Sequence, residues 1–158
     1  MADPQLKLAV GAVGRTAVIN DDAVLITTDW AAGDYDNSVS LDPFAHMFLT
    51  VQWNTTAPSA GLNIANLYNI PGDNAATELF PEGGDAAIGT DDIPQKVFLV
   101  GTFETINPSI TVDETLAVAN ISLFFAGNRF ILENVSGEEF DLTWQLDIVP
   151  FSFKSPPV

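Results

Sequence analysis

The stretch Phe140-Asp141-Leu142-Thr143-Trp144-Gln145-Leu146-Asp147-Ile148 decides the fold class. Large apolar side chains fill every even position, and polar ones fill the odd positions through Asp147. Strand side chains alternate faces with a period of two, so one face of such a segment can be buried while the other is wetted. On a helix, Phe140, Leu142, Trp144 and Leu146 would be scattered around the circumference. The stretch therefore reads as strand.

Working outward, strand-like segments recur at 17–19, 23–28, 44–53, 62–68, 96–105, 116–125, 129–134 and 140–149. In 44–53 the odd face is apolar throughout: Ala45, Met47, Leu49, Val51 and Trp53. In 116–125 both faces are apolar, with Leu116, Val118 and Phe124 on one and Ile121, Leu123 and Phe125 on the other, the pattern of a central or interface strand. Ala126-Gly127-Asn128 reads as a hairpin loop because Gly and Asn tolerate positive φ, and Ser136-Gly137-Glu138-Glu139 divides the last two strands in the same way. Residues 116–149 thus read as three sequential antiparallel strands. Many short strands punctuated by Gly, Pro, Asn and Asp predict an all-β, antiparallel β-sandwich, jelly-roll-like, of about eight strands.

Three regions stand outside that pattern. Residues 1–16 read as an extended N-terminal arm and 154–158 as a C-terminal tail. Between them, 17–153 form a single sandwich domain interrupted by a long Pro/Gly/Asp-rich loop at 69–95, a length that implies a purpose. Residues 29–43 read as a second irregular stretch.

Composition excludes several functions. Of 158 residues, Lys and Arg total 5 against 21 Asp and Glu, a formal net charge of −16. Nucleic-acid binding and docking on an anionic membrane both need clustered cations, and Lys7, Arg15, Lys96, Arg129 and Lys154 are scattered. There is no cysteine, hence no disulfide framework or thiolate chemistry. The N-terminal residues lack a signal-peptide pattern and no run approaches a membrane span, which predicts a soluble chain made in the cytoplasm. Only 16% of residues are charged while 47% are hydrophobic. That excess predicts a surface partly covered by other subunits.

No catalytic centre is legible. His46 is the single histidine, lies on a strand between Phe44 and Phe48, and has no cysteine or second histidine beside it for a zinc site. No nucleophile elbow or phosphate-cradling glycine loop occurs; Gly11-Ala12-Val13-Gly14 is too short. Glu104, Glu133, Asp141 and Asp147 sit on strands as a glycosidase pair would, but any pair among so many acids looks equally suited. Asp34, Asp36 and Asn37, or Asp85, Asp91 and Asp92, supply oxygen atoms for a structural calcium without matching a known loop spacing. Sequons at Asn54, Asn120 and Asn134 carry little weight without a secretory signal. The expectation is no enzyme, no cofactor and no metal. Trp30 and Tyr35, read together in one loop, offer a thin aromatic platform for a sugar ring. Leu6, Leu8 and Val10 on the arm suit strand addition to a partner's sheet edge.

The stretch Lys96-Val97-Phe98-Leu99-Val100-Gly101-Thr102-Phe103, the turn at Asn107-Pro108-Ser109, Leu116–Phe125, and Asn128-Arg129-Phe130-Ile131-Leu132-Glu133-Asn134-Val135-Ser136-Gly137 resemble segments of small tailed-phage virion proteins. The resemblance implies a bacteriophage capsid decoration (cement) protein with a jelly-roll-like sandwich. It further implies a homotrimer on the outer face of the head shell, with the major capsid protein or other virion proteins as partners. A tail- or fibre-associated sandwich and a carbohydrate-binding β-sandwich module are the alternatives.

Overall fold

The computed structural model describes residues 7–10, 15–20, 24–26, 30–72, 99–124 and 127–154, with the backbone alone at 7–10, 71–72 and 153–154. Among these residues there are nine strands: β1 (Lys7–Val10), β2 (Thr16–Asn20), β3 (Trp30–Asp36), β4 (Phe44–Val51), β5 (Asn63–Gly72), β6 (Leu99–Glu104), β7 (Glu114–Ser122), β8 (Gly127–Asn134) and β9 (Gln145–Lys154). They form two sheets in which every pairing is antiparallel. One runs β1-β9-β4-β7, with β2 also on β9; the other runs β3-β8-β5-β6. From β2 onward all consecutive strands except β5 and β6 change sheet. This interleaving is the jelly-roll topology, with β1 added at one edge.

Period-two patterning builds the core. Ala45, Met47, Leu49 and Val51 of β4, followed by Trp53, are fully buried against Leu146 and Ile148 of β9 and Leu67, Phe130 and Leu132 of the facing sheet. Trp53, Phe140 and Trp144 close one end of this core edge to face, with ring centroids 5.2 Å and 6.2 Å apart. The geometry favours the aromatic quadrupoles as well as the buried area.

Several expectations need correcting. The segment 140–148 is not one strand: β9 starts at Gln145, Phe140 makes only isolated bridges to Leu25 and Trp53, and a turn follows it. That turn leaves Leu142 51% exposed while its even-numbered neighbours are buried. Residues 116–149 are not a three-strand meander either, because β7 and β9 flank β4 while β8 lies in the other sheet. Gly and Asn announced that the chain reverses, but a reversal does not say which sheet receives it. Among the described strands β7 stands at the edge of its sheet rather than at its centre. Its two apolar parities arise from a bulge: Ala45 pairs with Ile121 and Met47 with Val118, and Asn120 between them adopts φ 59°. The extra residue exchanges the faces, so Leu116 and Ile121 both point inward.

Residues 29–43 hold β3, and 69–72 finish β5; the rest of the expected 69–95 loop lies outside the described residues, as do 155–158. Within the expected arm, Lys7–Val10 pairs with β9 of its own chain, Leu8 opposite Phe153 and Val10 opposite Phe151. A short apolar segment that suits a partner's sheet edge suits the chain's own edge equally well.

Candidate binding surfaces

The residues singled out for binding do not converge. Leu6 lies outside the described residues, and Leu8 and Val10 belong to the sheet. Trp30 and Tyr35 are not in one loop but at opposite ends of β3 and on opposite faces. Trp30 packs with Tyr68, Ile70 and Ile131 on the outer side of the second sheet, whereas Tyr35 packs against the central core. An odd separation along a strand guarantees that outcome. They make no shared platform.

The acidic candidates are dispersed in the same way. Asp34 faces Arg129 at 3.8 Å. Asp36 accepts from the Ser38 N–H at 2.8 Å, and hydrogen bonding from Ser38 holds its carboxyl below the ordinary value. Asn37 is buried and ties its loop to the carbonyls of Asp42 and Phe124. Asp147 receives the Gln145 side-chain amide, while Glu104 ends β6 in the other sheet. No group of three or more His, Asp or Glu side chains is placed for a metal among the described residues; Asp85, Asp91 and Asp92 lie outside them. His46 stacks on Phe151 with centroids 4.5 Å apart, and its Nδ1 accepts from the Asn120 N–H in the β7 bulge at 3.3 Å. Its place is structural.

Two other surfaces are built more deliberately. Antiparallel register brings the start of β5, the end of β6, the start of β7, the end of β8 and the start of β9 to one end of the sandwich. The loops there are laced together. The Gly61 N–H donates to the Thr105 carbonyl at 2.7 Å, the Trp53 N–H to that of Ser109 at 3.2 Å and the Asp141 N–H to that of Gln52 at 2.8 Å. The Gln52 side chain donates to the Ile110 carbonyl, and Asn54 donates through backbone and side chain to Glu139. One carboxylate, Glu114, accepts from the Thr105 hydroxyl and from the Ile106 and Asn107 N–H groups. On these fixed loops Leu62, Ile106, Ile110, Val112 and Leu142 face solvent, Ile106 at 76% and Val112 at 64% exposure. Scattered exposed aliphatics are ordinary, but a set carried on one end of the sandwich makes that end a candidate interaction surface. Segments 52–62, 105–113 and 135–144 contain no Lys or Arg but carry the acids Asp113, Glu138, Glu139 and Asp141. The Ile-x-x-x-Ile-x-Val spacing of 106–112 inside a Pro/Asn/Ser turn was the available signal, since turns seldom spend three large aliphatics.

The second surface is the outer face of the β3-β8-β5-β6 sheet. Glu133 is half-buried there, and its Oε2 accepts from the Tyr68 hydroxyl and from Asn66 Nδ2, each at 2.8 Å. Asn63 Nδ2 donates in turn to Asn66 Oδ1 at 3.0 Å. Burial, and then the neighbouring carboxylate, push the Tyr68 hydroxyl up to about 12, so it stays a proton donor at neutral pH.

No family model and no curated protein matches this chain. Among solved structures, it is similar to the CBM36-1 domain of a multidomain xylanase from the hindgut metagenome of Trinervitermes trinervoides, over 98% of this chain and 100% of that one. Sequence identity is 12% and the TM-score 0.40, too loose a superposition to transfer anything between the two.

Proposed function

We propose that the chain is a non-catalytic structural protein that docks, loop end first, onto a larger protein assembly. The assembly that fits the sequence resemblance is the head shell of a tailed bacteriophage, which this protein would decorate and reinforce. The observation that carries the reading is the set Leu62, Ile106, Ile110, Val112 and Leu142, exposed together on loops that hydrogen bonds hold in place. Rigid apolar anchors bind tightly because little conformational freedom is lost on docking. The surrounding carboxylates ask for a basic partner surface, which a steering field of this sign would find quickly. A jelly roll supports this role without implying it, since the same fold serves capsids and lectins alike.

The test is co-sedimentation of the purified chain with empty shells assembled from the major capsid protein of the same virus. The wild-type chain is expected in the pellet, and an I106D/V112D double variant in the supernatant with an unchanged melting temperature. A wild-type chain left in the supernatant would sink the proposal. Three copies as the docking unit belong to the same reading, and light scattering on the isolated protein measures that number.

A further inference from the structure

On the outer face of the second sheet, four side chains stand in one row across the four strands. Trp30 of β3 is the register partner of Glu133 of β8, Glu133 of Asn66 of β5, and Asn66 of Thr102 of β6. Neighbouring strands lie about 4.8 Å apart, so the row is about 14 Å long. It presents in order an aromatic ring, a carboxylate, a carboxamide and a hydroxyl, with Thr102 exposed and the other three partly exposed.

The carboxylate is the informative member. Two donors reach Glu133, both at Oε2. Held through Oε2, the carboxylate is fixed in orientation, and among the described residues Oε1 meets no donor. An acceptor held in one orientation gains a charge-assisted hydrogen bond from a hydroxyl donor that reaches it. The adjacent Trp30 supplies an apolar edge for C–H groups, while Asn66 and Thr102 continue the line of hydrogen-bonding groups. A net charge of −16 disfavours an anionic ligand on an open carboxylate.

We propose that this row is a binding site for neutral polysaccharide, the glycan chain lying across the strands from Trp30 to Thr102. The site lies on the face of the sheet and uses none of the exposed aliphatic side chains of the loop end.

Isothermal titration of the full chain with cellohexaose, xylohexaose, mannohexaose and chitohexaose, and with hexagalacturonate as the anionic control, tests it. At least one neutral hexasaccharide binds. W30A and E133A each weaken that binding about tenfold or more, near the worth of one charged or stacked contact. T102A, a surface change that leaves the melting temperature alone, weakens it by a smaller factor, and I106D/V112D leaves it unaltered. Absence of heat with all four neutral glycans, binding of hexagalacturonate alone, or wild-type affinity in W30A, E133A and T102A would each overturn the assignment.

Discussion

At the level of single residues, the sharpest constraint is Gly101 of β6. A Cβ there would lie 2.4 Å from Cγ1 of Val118, where an edge of one sheet meets β7 of the other. Gly101→Ala should therefore destabilise by about 1–3 kcal/mol, the usual cost of overpacking. Val118→Ala should recover much of it, because the obstacle is a side chain. At Gly33 the obstacle is the Val18 carbonyl oxygen at 2.1 Å, backbone that no substitution removes, so Gly33→Ala should have no such rescue. Urea unfolding of the two single variants and of G101A/V118A checks both statements. Tyr68 offers a pH test. Its hydroxyl holds its proton up to about 12 in the folded chain against an ordinary 10.0, so the proton is bound more tightly in the native state. The resulting stability is fully present below pH 10 and is lost as pH rises towards 12. Melting curves across that window should fall more steeply for the wild type than for Y68F; parallel slopes would show that burial and Glu133 together do not hold the Tyr68 proton above its ordinary range.

At the level of elements, the residues that carry the phage resemblance turn out to hold the fold. Asn134 ends β8 and donates to the carbonyls of Leu25 at 2.9 Å and Glu138 at 2.8 Å, while its Oδ1 accepts from the Ser136 N–H and hydroxyl. Gly137 then turns with φ 83°. The Glu-Asn-x-Ser-Gly run is thus a turn that pins two loops, and Asn134→Ala should cost about 2–3 kcal/mol by removing all the hydrogen bonds of a fully buried side chain. A fall in melting temperature no larger than that of a surface variant would contradict this. The same paired loops explain what the sequence could and could not disclose. The odd face of β4 was legible because its four positions, Ala45, Met47, Leu49 and Val51, are all apolar and buried, and Trp53 just beyond the strand continues them. The alternation from Phe140 misled at Leu142 because a turn can imitate the pattern of a strand for two residues. Leu142→Lys should change stability by about 0.5 kcal/mol or less, whereas Trp144→Ala should cost about 3–5 kcal/mol. β3 was missed since Ala31-Ala32-Gly33-Asp34 has weak strand propensity; pairing with β8 along all seven residues overrides it.

Across the whole molecule, architecture was readable and the binding surfaces were not, for a physical reason. Core formation leaves a periodic trace in sequence, but a surface is assembled from loops that register alone brings together, as Leu62, Ile106 and Leu142 are. Trp30 was picked out for its ring, yet its useful neighbours, Glu133, Asn66 and Thr102, lie on three other strands. Charge, by contrast, is a property of the entire chain and predicts how it meets partners. On the proposed function, the carboxylates carried by the loops of the apolar end would attract a basic shell surface and repel a second copy of the same end. Salt screens both effects, with a Debye length of about 10 Å at 0.1 M and 3 Å at 1 M. Raising salt from about 0.05 to 0.5 M should therefore weaken the chain's retention on shells while favouring any self-association. Pelleting assays and light scattering over the same salt series should diverge in opposite directions. If shell retention instead strengthened with salt, the contact would be apolar without electrostatic complementarity, and the basic partner surface would have to be abandoned while Ile106 and Val112 kept their role.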